Sequence, residues 1–298
     1  MIATATAVGD HLRQWRQRRR LSQLDLALDA EISTRHLSFL ETGRAQPSRD
    51  MVLRLADQLE IPLRERNTIL IAAGFAPVFP QRSLDDPALI AARKAVDIIL
   101  TGHEPHPALV VDRGWNLISA NRMVAPLMEG ADPELLKPPL NVLRLTLHPK
   151  GLAPRVQNLH EWRAHLLDRL RREVEMTADP RLSELLTELK AYPIPGGQPP
   201  RRAFDEYGGV AIPFRLDTPL GTLSFFSTTT VFGTPVDVTL SELTLETFFP
   251  ADTQTAEALR AAADPDRATT RIPDGAMALS SPGATIFPFL RTGPPDGP

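Results

Sequence analysis

Residues 22–44 read Ser-Gln-Leu-Asp-Leu-Ala-Leu-Asp-Ala-Glu-Ile-Ser-Thr-Arg-His-Leu-Ser-Phe-Leu-Glu-Thr-Gly-Arg. Ser22 is a helix N-cap, and the run behind it offers Leu24, Leu26, Ala27 and Leu28 for burial while Gln23, Asp25 and Asp29 stay polar. Ala30-Glu31-Ile32 breaks that pattern. Ser33 then caps a second helix that turns Leu37 and Leu40 inward, with Ile32 packed ahead of the cap and Gly43 as the stop. Two short helices joined by so tight a turn have the geometry that seats the second helix in a DNA major groove. The start of that second helix meets the base edges and the first helix crosses the phosphates. Thr34, Arg35 and Ser38 are therefore the expected base readers, with Ser33 at the head of the recognition helix, and Gln23 is the expected backbone clamp. Arg35 is the principal candidate, because a guanidinium can bond a guanine edge with two hydrogen bonds.

Amphipathic helix pairs also occur in bundles that never touch DNA, and charge separates the two cases. Residues 1–83 hold 12 arginines and no lysine against 9 acids, a net of +3, while the remaining 215 residues carry 21 basic and 27 acidic groups, a net of −6. A basic head on an acidic body is the asymmetry of a DNA-binding module joined to something else. Arg16, Arg18, Arg19 and Arg20 end the first predicted helix, where they either contact phosphate or complement the helix dipole.

The block 21–74 resembles the helix-turn-helix domain of the lambda-repressor/Cro superfamily, the xenobiotic-response-element regulators. The resemblance is carried by Leu21-Ser22-Gln23, Ile32-Ser33, Leu40-Glu41-Thr42-Gly43-Arg44, Pro47-Ser48 and Val52-Leu53-Arg54-Leu55-Ala56. It implies an all-α, five-helix domain in which Gln23 and Arg44 contact phosphate and Glu41 is tied to the body of the domain. It also implies a homodimer on a pseudo-palindromic double-stranded operator.

With 298 residues and 42% hydrophobic content, the chain suffices for about two ordinary domains. The absence of cysteine excludes disulfides and thiolate metal sites. No apolar run approaches the roughly 18–20 residues of a membrane span, and the N-terminus lacks the features of a signal peptide. The expectation is a cytoplasmic protein with no membrane partner. Prolines mark the seams: Pro77, Pro80 and Pro87 bracket the polar stretch Gln81-Arg82-Ser83-Leu84-Asp85-Asp86. The expected organisation is a DNA-binding domain at 1–80, a linker at 81–86, a second domain at 87–262 and a disordered tail at 263–298. Asp86-Pro87 opens a helix through Leu100 that Gly102 ends, either a rigid connector or a dimer contact.

In the second domain, Ala108-Leu109-Val110-Val111 and Asn116-Leu117-Ile118-Ser119 read as strands around an Asp112-Arg113-Gly114 turn, with Asn121 capping the next helix. Helices are expected at about 141–148, 157–175 and 180–190. Strand-like runs follow at 210–217, 221–232 and 236–248, separated by Thr218-Pro219-Leu220-Gly221 and Gly233-Thr234-Pro235. Two strands, a helical insert and three strands make an α+β fold, a five-stranded antiparallel sheet with helices on one face.

That order resembles the ligand-binding domain of MmyB-like transcription regulators, a PAS-like sheet with a helical cover. The carrying residues are Asp112-Arg113-Gly114-Trp115-Asn116, Ala120-Asn121, Asn141-Val142-Leu143-Arg144-Leu145, His148-Pro149, Trp162, Leu170-Arg171 and Pro219-Leu220-Gly221-Thr222-Leu223. The Pro/Gly-rich stretch Tyr192-Pro193-Ile194-Pro195-Gly196-Gly197 departs from the family pattern. The resemblance implies sensing of a small apolar, fatty-acid-like molecule. Trp115, Leu117, Leu143, Leu145, Trp162, Leu166, Phe225 and Phe226 are candidate walls, or plain core. Arg144 and Arg171 either hold a ligand carboxylate or lie solvated at the surface.

Two other functions compete. An enzyme needs chemistry that is hard to find here: of seven histidines only His103/His106 and His160/His165 are close, and the latter pair does not share a helix face. No nucleophile elbow, Walker A loop or dinucleotide fingerprint is present. The expectation is no catalysis, no metal and no cofactor. Alternatively, the second domain binds a protein partner and the regulator has no small-molecule effector.

Overall fold

The computed structural model describes residues 7–194, 212–233 and 235–264. The expected tail beyond 264, the continuation of the Pro/Gly-rich stretch past Ile194, and the opening of the 210–217 run lie outside the described residues. Cα proximity divides the chain into two compact units. The first comprises residues 1–87 together with 172–179 and 233–241, and the second the rest.

The head holds five helices: α1 Val8–Arg18, α2 Gln23–Asp29, α3 Thr34–Glu41, α4 Arg49–Gln58 and α5 Leu63–Ala72. Three of them start in the same way. The hydroxyls of Ser22, Ser33 and Ser48 accept from the backbone N–H of Asp25, His36 and Met51 at 3.1–3.2 Å. At Ser22 the Asp25 carboxylate returns a bond to the serine N–H, completing a capping box. Gly43 turns the chain after α3 with φ +71°. Leu12, Leu26, Leu37, Leu40, Val52, Leu55, Leu59, Ile69 and Leu70 are fully buried, each contributing about 1.5–3 kcal/mol by leaving water.

Leu37 and Leu40 face inward as their spacing predicts, and Ile32 packs against the core. On α2 the reading fails for two residues: Leu24 and Leu28 are 56% and 67% exposed. Seven residues bury only one narrow stripe, and at about 100° per residue Leu26 and Ala27 take it while the i, i+4 pair points outward.

The later of the two downstream segments of this unit, 233–241, is tied to residues 80–82. Asp237, 1% exposed at its side chain, accepts from Arg82 Nη1 at 2.9 Å. Val238 N–H donates to the Pro80 carbonyl at 2.8 Å, and the Thr239 hydroxyl to that of Arg82 at 2.6 Å. Val238–Ser241 forms the short helix α10. The continuous strand expected over 236–248 is thus interrupted: Asp237 also accepts from Thr239 N–H, which turns the chain into a helical start.

In the second unit the helix expected from Pro87 begins as a 3-10 turn at Pro87–Leu89 and becomes α6 at Ile90–Gly102. Then come β1 Ala108–Val111, β2 Leu117–Ala120, α7 Val142–Leu147, α8 Leu159–Thr177, α9 Pro180–Ala191, β3 Phe214–Thr218, β4 Gly221–Val231, β5 Thr244–Pro250 and α11 Thr253–Ala263. The strands form one antiparallel sheet in the order β2-β1-β5-β4-β3, the PAS-like arrangement the element order implies.

The β1–β2 turn is wider than a tight hairpin. Asp112 Oδ1 accepts from the N–H groups of Gly114 and Asn116, and the left-handed residue is Trp115, at φ +64°. Asn121 caps no helix. Its buried amide accepts from Ala108 N–H and donates to the carbonyls of Leu100 and His106, tying the end of α6 to the start of β1. Trp162 of α8 stacks on Phe214, while Phe249, on the opposite face from its neighbour Phe248, meets the rings of His103 and His106 just past α6. Helix α11, absent from the sequence reading, is capped by Asp252. Its Thr255 hydroxyl accepts from the N–H of Ser224 at 2.9 Å.

Candidate functional site

The base readers expected from the sequence cluster at the first turn of α3. Thr34 and Arg35 are exposed there, and Ser38 is half-buried one turn on. Ser33 has a local duty, since its hydroxyl fixes the start of the helix. Arg35 lies with its guanidinium carbon 5.3 Å from the centre of the Phe39 ring, and Arg44 lies 6.0 Å from the same ring. One phenyl ring thus restrains both arginines, lowering the entropy that binding would cost either.

Behind this surface is a polar core element. Arg16 Nε and Nη2 donate to the two carboxylate oxygens of Glu41 at 2.6 and 2.9 Å, and Gln23 Nε2 donates to Glu41 Oε2 at 2.8 Å. Glu41 is 5% exposed and Arg16 9%. The hydrogen bonds to Glu41 hold the Arg16 proton more firmly than in a free arginine, outweighing burial. Arg16 therefore neither contacts phosphate nor decorates the end of its helix, the two roles open to it from sequence. Arg19 is also occupied, donating to the carbonyls of Leu59 and Glu60 at the end of α4. The signal for Arg16 was its phase: it stands four residues after the fully buried Leu12.

In the second unit, α8 presents Leu159, Trp162, Leu166 and Leu170 to the sheet. The Trp162 ring is 5.0 Å from Phe214, which adjoins Phe225 and Phe248 at 6.5 and 6.4 Å. Leu143 and Leu145 of α7 are buried, and Leu117 is half-buried beside the β1 bulge. Phe226 alternates with Phe225 and so belongs to the opposite face of the sheet, apart from this aromatic group. Trp115 lies under the guanidinium of Arg169, 4.5 Å from ring centre to Cζ. Arg169 in turn donates to both oxygens of Glu246 at 3.1 and 2.5 Å, and the Thr229 hydroxyl donates to the same carboxylate. Sequence reading missed this buried pair. Glu246 signals itself only as a charge in the middle of an apolar strand.

The two arginines considered for a ligand carboxylate already hold carboxylates of the protein. Arg144 binds Glu188 at 2.8–3.0 Å, and Arg171 pairs with Asp168. Glu188 also accepts from the Tyr192 hydroxyl, and the Arg144 hydrogen bonds hold it below the usual carboxylate range. Among the described residues no group of three or more His, Cys, Asp or Glu is placed to hold a metal ion, and no helix is long and apolar enough to cross a membrane.

A capped recognition helix on a five-helix head, followed by a PAS-like sensor sheet, defines a DNA-binding transcription regulator of the one-chain, two-unit kind. Residues 7–69 match the model of a helix-turn-helix domain, and residues 92–262 that of the MmyB-like transcription regulator ligand binding domain. The chain belongs to the MmyB-like transcription regulators. No protein of curated function matches it. Among solved structures, an RNA-binding light-oxygen-voltage receptor is similar at 14% identity and a TM-score of 0.22; the match covers 88% of this chain and 64% of the receptor chain.

Proposed function

We propose that the protein is a sequence-specific regulator acting as a homodimer on a pseudo-palindromic operator, with residues 1–80 binding DNA and residues 87–262 binding a small apolar molecule with a fatty-acid-like chain. The observation that carries the DNA-binding half is the exposed first turn of α3, with Arg35 resting against Phe39. Two such helices fit successive major grooves about 34 Å apart. Arg35 reads a base, with Thr34 and Ser38 beside it. Gln23 and Arg44 hold phosphate, Gln23 through the second hydrogen of an amide that Glu41 orients.

The apolar face of α8 against the aromatic residues of the sheet supports the sensing half. Ligand acts by preferring one of two dimer arrangements that differ in affinity for DNA, and its effect is bounded by that preference.

Arg35→Ala is expected to relax base preference at one position of each half-site, at a cost of about 1–3 kcal/mol for the preferred base. Binding-site selection with the variant checks this; an unchanged preference would remove Arg35 from base reading. For the sensor, native mass spectrometry of the purified protein, beside the same sample after denaturation and organic extraction, is expected to show a dimer carrying a mass that denaturation releases. A dimer of bare chain mass that also takes up no added alkyl-chain compound would favour a protein partner instead.

A further inference from the structure

On the sheet-facing side of α8 a buried indole donor stands among Leu159, Leu166 and Leu170. Trp162 is 4% exposed, its ring stacked between His165 at 5.3 Å and Phe214 at 5.0 Å, and its Nε1–H meets no acceptor among the described residues. A position that needed only apolar volume would be filled as well by phenylalanine or leucine, without a buried N–H left to satisfy. Leaving such a donor unmet costs stability, so its retention in the aromatic cluster points to an acceptor beyond the described residues, which a bound ligand would supply.

The charges nearby restrict what that acceptor can be. Arg169, two turns further along α8 and on the same side, is held by Glu246, which is 5% exposed and accepts from Thr229 as well. Arg144 of α7 is bound bidentately by Glu188. A ligand carboxylate entering this core would compete with carboxylates that the chain already supplies, and would carry its own charge out of water opposite Glu246. A neutral carbonyl meets neither obstacle.

Building on the ligand-sensing reading above, we propose that Trp162 Nε1 is the hydrogen-bond donor to the polar end of the ligand, and that this end is a neutral acceptor, the carbonyl of a ketone, ester or amide on an alkyl chain. Trp162 is thus the residue that sets specificity for the neutral compound over the free acid.

The test uses full-length, 15N-labelled protein and two probes of equal chain length, 2-decanone and decanoate. The chain has three tryptophans, Trp15, Trp115 and Trp162, so three indole N–H signals are to be assigned. Trp162→Phe assigns one directly, and Trp15→Phe and Trp115→Phe assign it by elimination if that variant does not fold. The expected result is that 2-decanone binds more tightly than decanoate and moves the Trp162 indole proton downfield. Trp162→Phe is expected to weaken 2-decanone binding about three- to tenfold, the range of one neutral hydrogen bond. Decanoate bound at least as tightly as 2-decanone, or 2-decanone bound with the Trp162 signal unmoved, overturns this proposal and leaves ligand sensing intact. Neither probe bound at millimolar concentration overturns both.

Discussion

Arg16 and Glu41 decide how the end of α3 is held. Their bidentate pair is nearly sealed from water, and Glu41 also receives the amide of Gln23. Replacing one partner strands the other's charge in the core, an error of about 3–5 kcal/mol, whereas the same change on the surface is worth under about 1 kcal/mol. Glu41→Gln is therefore expected to lower the unfolding free energy of the head by about 3 kcal/mol or more in equilibrium urea titration. A loss below about 1 kcal/mol would mean that solvent reaches the pair. The role of Glu41 was legible through the family resemblance, but that of its partner was not. Arg16 stands in a run with Arg18, Arg19 and Arg20, and composition treats the four alike. Only helical phase separates them, because Leu12 and Trp15 mark the buried side and Arg16 falls on it.

Elements were readable where local chemistry alone makes them. The serine caps announced α2 and α3, because a hydroxyl ahead of an apolar run acts within one turn, and strand-like runs bounded by turn residues announced the sheet. Elements decided by distant partners were misread. The chain enters α10 rather than continuing a strand because Asp237 is bound by Arg82, 155 positions away. Asn121 looks like a cap but spends its amide on α6 and β1. In the sensor, Trp162 and Leu166 were legible as an apolar helical face. The Arg169–Glu246 pair was not, since nothing near either residue names the other.

Close packing between elements supplies a further expectation. A Cβ on Gly9 of α1 would stand 2.5 Å from the Leu40 carbonyl oxygen and 2.7 Å from that of Glu41, both in the last turn of α3. Backbone cannot yield as a flexible side chain can, so Gly9→Ala is expected to push α1 from α3 at a cost of about 1–3 kcal/mol. Because the displaced turn carries Glu41, operator affinity should fall with stability. Thermal unfolding and DNA titration on one sample check this, and an unchanged melting temperature would refute the close approach.

For the molecule as a whole, a net charge of −3 hides a basic head, so attraction to DNA is local rather than global. Operator binding is expected to weaken steeply with salt, and Arg44→Ala to reduce the slope of log K against log salt by about one while weakening all sequences alike. Affinity measured across a salt series tests both statements; a changed sequence preference would move Arg44 from phosphate to base reading. The fastening of Asp237, Val238 and Thr239 to the 80–82 backbone bears on a different matter, the exchange of parts between genes. Three bonds that complete the head come from chain lying more than 150 positions downstream. A recombination event joining this reader to a foreign sensor at residue 87 would thus transplant a head stripped of its own fastenings. Inheritance of the two units as a block follows, since what is contiguous in space here is interrupted in the gene.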